Sequence, residues 1–137
     1  MNEKPKMQSV IHLLLSDYIV DSRVRNETKM LAKKYDIKVL CYGKLPSKEQ
    51  RSVNIKENVT IISYPKKYSS FGIIKTWFNM LLEAKSLKPV ILHAHDVNSL
   101  PLGFILAKYV GAKLIYDSHE LWSQSHHKKR AKIILLT

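Results

Sequence analysis

Two short apolar runs, each followed by a cluster of polar side chains, constrain the fold of this chain more than any other feature. Residues 90–94 lead into His95 and Asp96, and residues 112–116 lead into the sequence Asp117-Ser118-His119-Glu120. About a helix's length of chain separates the two runs. Near-continuous apolar runs are typical of parallel strands buried on both faces, and parallel pairing requires a crossover such as a helix. The stretch is therefore predicted to be a strand, helix, strand unit with both polar clusters at one edge of a sheet.

The rest of the chain repeats this alternation. The predicted strands are residues 9–15, 37–42, 59–63, 90–94 and 112–116, and the predicted helices are residues 22–35, 70–87 and 98–110. The polar residues 44–58 are predicted to form an irregular loop. This pattern indicates an α/β fold, with one Rossmann-like domain built on a doubly wound parallel sheet. Right-handed crossovers favour the strand order 3-2-1-4-5.

Local signals place the helix ends and the helix faces. Asp21 or Ser22 is predicted to cap the first helix, and Asn98 the third, which Gly111 ends. The residues expected to face the sheet are Val24, Thr28, Leu31 and Tyr35 in the first helix and Leu100, Phe104 and Ala107 in the third. The second helix has a broad apolar stripe of Phe71, Ile74, Phe78, Leu81 and Leu82, which Ile73, Trp77 and Met80 extend, so we expect it to contact more than the sheet.

The predicted strand order also predicts a site. The direction of winding reverses between the first and fourth strands, and open α/β sheets bind ligands at such a point. The loops after residues 15, 94 and 116 should meet there. The polar residues at these positions are Ser16, Asp17, His95, Asp96, Asn98, Asp117, His119 and Glu120.

The charge of the chain is unusually positive, with 23 Lys and Arg against 11 Asp and Glu, a formal charge of +12. Such a surface attracts nucleic acid, anionic lipid headgroups or phosphorylated small molecules. It is also compatible with a simple solubility role or with an acidic partner domain. A basic and aromatic stretch is predicted to form a membrane or partner patch, consisting of Lys66, Lys67, Lys75 and Trp77. No nucleic-acid motif frames this stretch, so no nucleic-acid partner is expected. Exposed apolar surface would favour a homodimer.

Length and composition indicate a globular chain in a reducing compartment. The 137 residues suffice for one domain, and the single cysteine, Cys41, falls in a predicted strand, where a buried thiol is expected. The apolar residues 10–15 are too few for a signal peptide, and no run approaches the ~20 residues of a membrane span. We therefore expect a cytoplasmic protein, with peripheral attachment to the inner face of the membrane as an extension of that expectation.

The residue chemistry leaves alternatives open at both polar clusters. His93 and His95 project from one face of a strand and so invite a metal-binding interpretation, although bonding within the sheet is the simpler one. Asp117 to Glu120 either tune a histidine for proton transfer or cap a helix. The turn after the first strand lacks glycine, which argues against a dinucleotide cofactor.

Three motifs in register resemble one known family. The order Asp21-Ser-Arg23-Val24-Arg-Asn-Glu27, then His93-Ala-His95-Asp96-x-Asn98-x-Leu100-Pro101-x-Gly103, then Leu114-Ile-Tyr-Asp117-Ser-His119-Glu120 resembles the N-terminal domain of family-four, GT-B-type retaining glycosyltransferases. The resemblance covers residues 8 to about 122. It implies the acceptor-side half of a two-domain enzyme that transfers a sugar from a nucleotide-sugar to a saccharide or lipid-linked acceptor.

The resemblance also implies roles for residues. The histidine at the position of His119 lies beside the transferred sugar, and His95, Asp96 and Asn98 lie at the rim of the acceptor pocket. Arg23 and Arg25 are placed to meet an acceptor phosphate. The family works without an essential metal, so neither a metal site nor a cofactor is expected, and the nucleotide-sugar is the donor substrate.

Two departures from the family limit what this chain should do by itself. Ser16-Asp17-Tyr18 stands where many members have a glycine-rich loop, and no second Rossmann pattern follows Glu120. We therefore expect residues 121–137 to be a poorly supported tail, the donor-binding domain to be missing, and the chain alone to be inactive. The alternatives are a non-catalytic binding subunit that pairs with a separate donor-binding protein, and a His-x-His metal hydrolase.

Overall fold

The structure, a computed structural model, describes residues 6–46, 48–118 and 132–136 of the chain. Within that part, seven strands form one sheet: β1 (Ser9–Asp17), β2 (Asp36–Tyr42), β3 (Ser52–Lys56), β4 (Val59–Tyr64), β5 (Ile91–His95), β6 (Lys113–Ser118) and β7 (Lys132–Leu136). The helices are α1 (Ser22–Leu31), α2 (Ser70–Leu87) and α3 (Leu100–Val110). Short 3-10 turns follow β1, at Tyr18–Val20, and β5, at Val97–Ser99.

The central five strands are parallel and confirm the predicted α/β class and winding. The sheet order is β3-β4-β2-β1-β5-β6-β7, in which β4-β2-β1-β5-β6 reproduces the expected order. One core cluster joins α1 to one side of the sheet, and a second joins α2 and α3 to the other side. Cys41 is buried in the first of these, as predicted.

Two antiparallel edge strands extend the predicted sheet. The expectation of an irregular loop over residues 44–58 is wrong for its second half, because β3 and β4 form a hairpin. Its two turn residues, Glu57 and Asn58, both have positive φ, as the commonest two-residue hairpin turns require. At the other edge, the backbone of residues 132–136, expected to belong to a poorly supported tail, pairs with β6.

Of the three helix ends predicted from the sequence, the start of α1 and the end of α3 are confirmed. The Asp21 carboxylate accepts a hydrogen bond from the backbone N–H of Val24 at 3.2 Å, and Gly111, at φ 73°, ends α3. The predicted Asn98 cap is wrong. A 3-10 turn precedes α3, so Ser99 occupies the cap position, and it makes no side-chain cap.

The buried faces of α2 and α3 differ from the predicted ones. In α2 the buried residues are Thr76, Met80 and Ala84, whereas the predicted stripe is largely outward: Phe71, Ile74, Phe78 and Leu82 are exposed. In α3 the inward residues are Leu102, Gly103, Leu106 and Ala107, while Phe104 is exposed. At Gly103, α3 approaches the sheet closely, because a Cβ there would lie 2.9 Å from the Cβ of Ala94. In α1 the predicted Val24 and Thr28 are buried and Leu31 is half-buried, whereas the helix ends at Leu31, so Tyr35 packs against the same core from beyond the helix.

Candidate functional site

The carboxyl ends of β1, β5 and β6 lie side by side at one edge of the sheet. Leu14 is the register partner of His95, and His95 is the partner of Asp117, so the three strands reach this edge at the same level. Ser16, Asp17 and Asp117 are the last residues of strands rather than loop residues. Parallel pairing thus brings Ser16, Asp17, His95 and Asp117 to the same edge of the sheet.

The turn after β5 is fixed by its own hydrogen bonds. Asp96 has φ 68° and ψ 157°, a conformation that costs a residue with a side chain about 1–3 kcal/mol. Its N–H donates to the carbonyl of Asp117 at 3.0 Å, and the Ser99 hydroxyl donates to the carbonyls of His95 and Asp96. These contacts hold the Asp96 backbone in its strained form, and such strain is often found at ligand sites.

Three buried histidines stack beneath this turn. His12 pairs in register with His93, and the ring centroids of His93 and His95 are 4.1 Å apart. Nδ1 of His12 lies 2.9 Å from Nε2 of His95, within hydrogen-bond distance. Burial, with a smaller effect from His93, lowers the pKa of His12 to about 3, so its imidazole is neutral at physiological pH. The sequence analysis did not select His12, although a histidine inside an apolar strand is the signal that could have found it.

Two carboxylates face the histidines. Oε1 of Glu27, on α1, lies 3.4 Å from Nδ1 of His93. Burial, and then the negative charge of Asp117, raise the pKa of Glu27, while Arg23 opposes them. Asp117 itself is 5% exposed. The edge therefore holds two mutually repelling carboxyl groups next to a cluster of buried imidazoles.

A cavity of about 420 Å³ opens next to β1 on the same side as α1. Its lining includes three cationic side chains, Arg25, Lys44 and Lys56, together with the polar residues Asp17, Asn54 and Ser63. Lys44 and Lys56 were missed because they belong to a segment that looked like an irregular loop. With three cations against one carboxylate, the cavity suits an anionic group.

Several of the predicted site residues lie at the surface around this centre. Ser16, Arg23 and Asn98 are exposed, and a guanidinium nitrogen of Arg23 lies 3.8 Å from the Asp21 carboxylate. The Asp17 carboxylate accepts a hydrogen bond from the backbone N–H of Ile19 at 3.0 Å. His119 and Glu120 lie outside the described residues.

The predicted membrane or partner patch is only partly outward. Lys66 and Lys75 are exposed and Lys67 is half-buried, but Trp77 packs against the core and donates to the Tyr42 hydroxyl at 3.1 Å. Eight of the exposed apolar side chains lie on or beside the helices α2 and α3, hereafter the apolar helix face: Tyr68, Phe71, Ile74, Phe78 and Leu82 of the α2 region and Phe104, Ile105 and Tyr109 of α3. Among the described residues, no helix combines the length and apolarity that crossing a membrane requires.

Comparison of the chain with protein-family models, with curated proteins and with solved structures finds no significant match. Its function is therefore inferred from its residues and their geometry.

Proposed function

We propose that this chain is the acceptor-binding half of a GT-B glycosyltransferase, which transfers a sugar from a nucleotide-sugar to a saccharide or lipid-linked acceptor. One observation carries the proposal: the polar ends of β1, β5 and β6 meet where the winding of the sheet reverses. Of the three motifs that resemble family-four enzymes, one follows β1 at the start of α1, one runs through the end of β5, and the described part of the third lies in β6. A donor-binding domain or subunit would face this edge and complete the site, with His119 beside the transferred sugar.

The arrangement of the edge suits recognition of a polar acceptor. His95 is 1% exposed and its carbonyl is bound by Ser99, so the turn that follows it has little freedom. The exposed side chain of Asn98 projects from this fixed turn. A preorganised amide loses little conformational entropy when it binds a sugar hydroxyl, which favours affinity.

The neighbouring cavity supports an acceptor that carries phosphate. Arg25 offers a planar set of donors that matches phosphate oxygens, and Lys44 and Lys56 add charge on other walls. Arg25 follows the capping residue Asp21 by one turn, so the start of α1 orients it. A sugar phosphate or a lipid phosphate would fit this set of side chains, and both contain the same phosphate chemistry.

The apolar helix face supports a membrane-bound source for such an acceptor. Lys66, Lys75 and Lys108 accompany its exposed aromatic and aliphatic side chains. Aromatic and cationic side chains together suit the interface of an anionic bilayer. Since α2 follows β4, it starts at the edge of the sheet that carries the site, and Tyr68 and Phe71 lie near that start.

The proposal is tested by titrating the ¹⁵N-labelled chain with farnesyl phosphate, with free disaccharides and with UDP-glucose. We expect the phosphate and saccharide probes to shift amide signals of residues 16–17, 25, 95–98 and 117–118, and UDP-glucose to have little effect. Asn98→Ala should weaken saccharide binding, whereas Asn79→Ala, on α2, should not. Shifts confined to other regions, or tight binding of UDP-glucose alone, would contradict an acceptor-side role.

Turnover separates the enzyme from a non-catalytic binding subunit. When a donor-binding partner is supplied, a transferase half should support sugar transfer that His119→Ala abolishes. Acceptor binding with no transfer under any such condition would favour the binding-subunit alternative.

A further inference from the structure

A compact group of histidines and carboxylates lies beneath the sheet edge, on the face that α1 covers. His93 and His95 are two residues apart on β5 and therefore share a face, and cross-strand pairing puts Asp117 of β6 beside His95. Glu27 approaches from α1. Three strands and one helix of the fold thus contribute to one location, since His12 of β1 also contacts His95.

The ligand atoms of this group lie close enough together to surround one metal ion. One ligand atom from each of Glu27, His93, His95 and Asp117 can be chosen so that all four lie within 4.8 Å of one another. Tetrahedral zinc with bonds of about 2.0–2.1 Å has ligand atoms roughly 3.3–3.4 Å apart. The Glu27 to His93 separation, 3.4 Å, already has this value and is long for a hydrogen bond.

The ligand types in this group favour a divalent metal ion of intermediate softness, such as Zn²⁺. Two carboxylates balance two positive charges, and a cation between them would remove the repulsion between Glu27 and Asp117. Two imidazoles together with two carboxylates suit Zn²⁺ and its neighbours, whereas Mg²⁺ and Ca²⁺ prefer sites made of oxygen alone. Nδ1 of His12 lies 2.9 Å from Nε2 of His95, so His12 would be an outer partner of this ligand. Such an outer partner fixes the orientation of a ligating ring.

We propose that Glu27, His93, His95 and Asp117 form a binding site for a zinc-type divalent metal ion, with His12 as the outer partner of His95. Four protein ligands fill a tetrahedral shell and leave no position for water or substrate, which is typical of structural rather than catalytic zinc. The ion would fasten α1 to the ends of β5 and β6, directly beneath the turn at Asp96. This role goes beyond acceptor binding and differs from that of a metal hydrolase.

The test is metal uptake by the full chain after treatment with a chelator. Equilibrium dialysis against Zn²⁺ should give one equivalent per chain, and Co²⁺ should give the intense visible bands of four-coordinate cobalt. Zinc should also raise the midpoint of thermal unfolding. Absence of uptake, or cobalt bands of a six-coordinate aqua-like ion, would overturn the proposal.

Variants identify the ligands. Asp117→Asn and Glu27→Gln, which keep the side-chain shape, should each weaken zinc binding by at least about tenfold. His93→Ala should abolish the cobalt bands. The matched control is the double variant His126→Ala/His127→Ala, which removes two histidines from another part of the sequence and should bind as the parent does. Loss of binding in this control with retention in Glu27→Gln would overturn the assignment, even if His93→Ala fails to fold.

These outcomes are independent of the transferase proposal. Zinc uptake is measured without acceptor or donor, and acceptor binding is measured with the chelator present. Either result can therefore fail while the other holds.

Discussion

Asp96 holds a backbone conformation that glycine adopts at little cost, with φ 68° and ψ 157°. We expect Asp96→Gly to leave the free energy of unfolding unchanged or to raise it by about 1 kcal/mol, because relief of strain outweighs the entropy of glycine in the unfolded chain. Asp96→Ala keeps the strain and should not stabilise. Urea unfolding of the three proteins measures the difference. If the same Asp96→Gly variant also loses acceptor binding, the carboxylate acts on the ligand rather than on the fold.

Tyr64 gives the fold a dependence on alkaline pH. Burial, and then the charge of Glu83, raise its pKa from 10.0 to about 12, while Arg51 opposes the shift. The neutral phenol is thus favoured in the folded state, and its contribution is fully present below pH 10 and is lost as the pH rises towards 12. The stability difference between the parent and Tyr64→Phe should fall across this window in urea unfolding. Lysines titrate equally in both proteins, so a constant difference would contradict the assignment.

The packing of α3 against β5 depends on the small size of Gly103. Gly103→Ala would place a Cβ 2.9 Å from the Cβ of Ala94 on β5. Glycine to alanine in a helix ordinarily stabilises by up to about 1 kcal/mol, but here the contact should reverse the sign and cost about 1–3 kcal/mol. Thermal or urea unfolding provides the measurement. Phe104→Ala, at the next, exposed position, is the control, and a stabilising Gly103→Ala would show that the helix can shift away from the sheet.

The buried faces of α2 and α3 were predicted incorrectly because some of their buried residues are small or polar. In α2 the small residues Thr76 and Ala84 are buried together with Met80, and the Thr76 hydroxyl donates to the carbonyl of Gly72. A prediction from hydropathy therefore selected Phe71 and Phe78, which are exposed, and did not select the buried Thr76 and Ala84. In α1 the buried residues, Val24 and Thr28, were predicted correctly.

Strands were predictable where they are buried and not where they form an edge. The five central strands are apolar runs, and their order followed from right-handed crossovers. The side chains of β3 are mostly exposed, so its sequence has no apolar run, and only its pairing with β4 makes it a strand. At the site, the strand ends that meet were predicted from the sequence. His12 could have been selected from its position inside an apolar strand, but its contact with His95 depends on strand register, and the approach of Glu27 depends on the position of α1.

At the scale of the whole molecule, the apolar helix face and the net charge of +12 act together. We expect the chain to co-sediment with vesicles that contain phosphatidylglycerol, to bind phosphatidylcholine vesicles weakly, and to dissociate as salt is added. The double variant Phe71→Ser/Phe78→Ser should lower binding several-fold without lowering stability, because these side chains are 79% and 56% exposed. The control, Met30→Ser, removes an exposed apolar side chain from α1. An equal loss in the control would mean that charge alone drives binding.

The net charge attracts anions non-specifically, so a specific anion site must bind more tightly than this background attraction. A molecule with charge +12 attracts any anion at low salt, so removal of one positive charge anywhere weakens such attraction slightly. Arg25 and Lys56 line the cavity beside β1, whereas Lys108 lies on α3, across the sheet. If the cavity binds the acceptor phosphate, Arg25→Gln and Lys56→Gln should each weaken binding of farnesyl phosphate by about tenfold, because each removes a charge-assisted hydrogen bond.

Lys108→Gln removes the same charge and should change that affinity by less than about twofold at 0.15 M salt, where the Debye length is about 8 Å. Calorimetric titration of the three variants against the parent gives the comparison, and thermal unfolding confirms that each remains folded. A uniform small loss in all three would assign binding to the overall field. A loss confined to Arg25 and Lys56 would place the phosphate in the cavity, next to the strand ends where the sugar acceptor is proposed to bind.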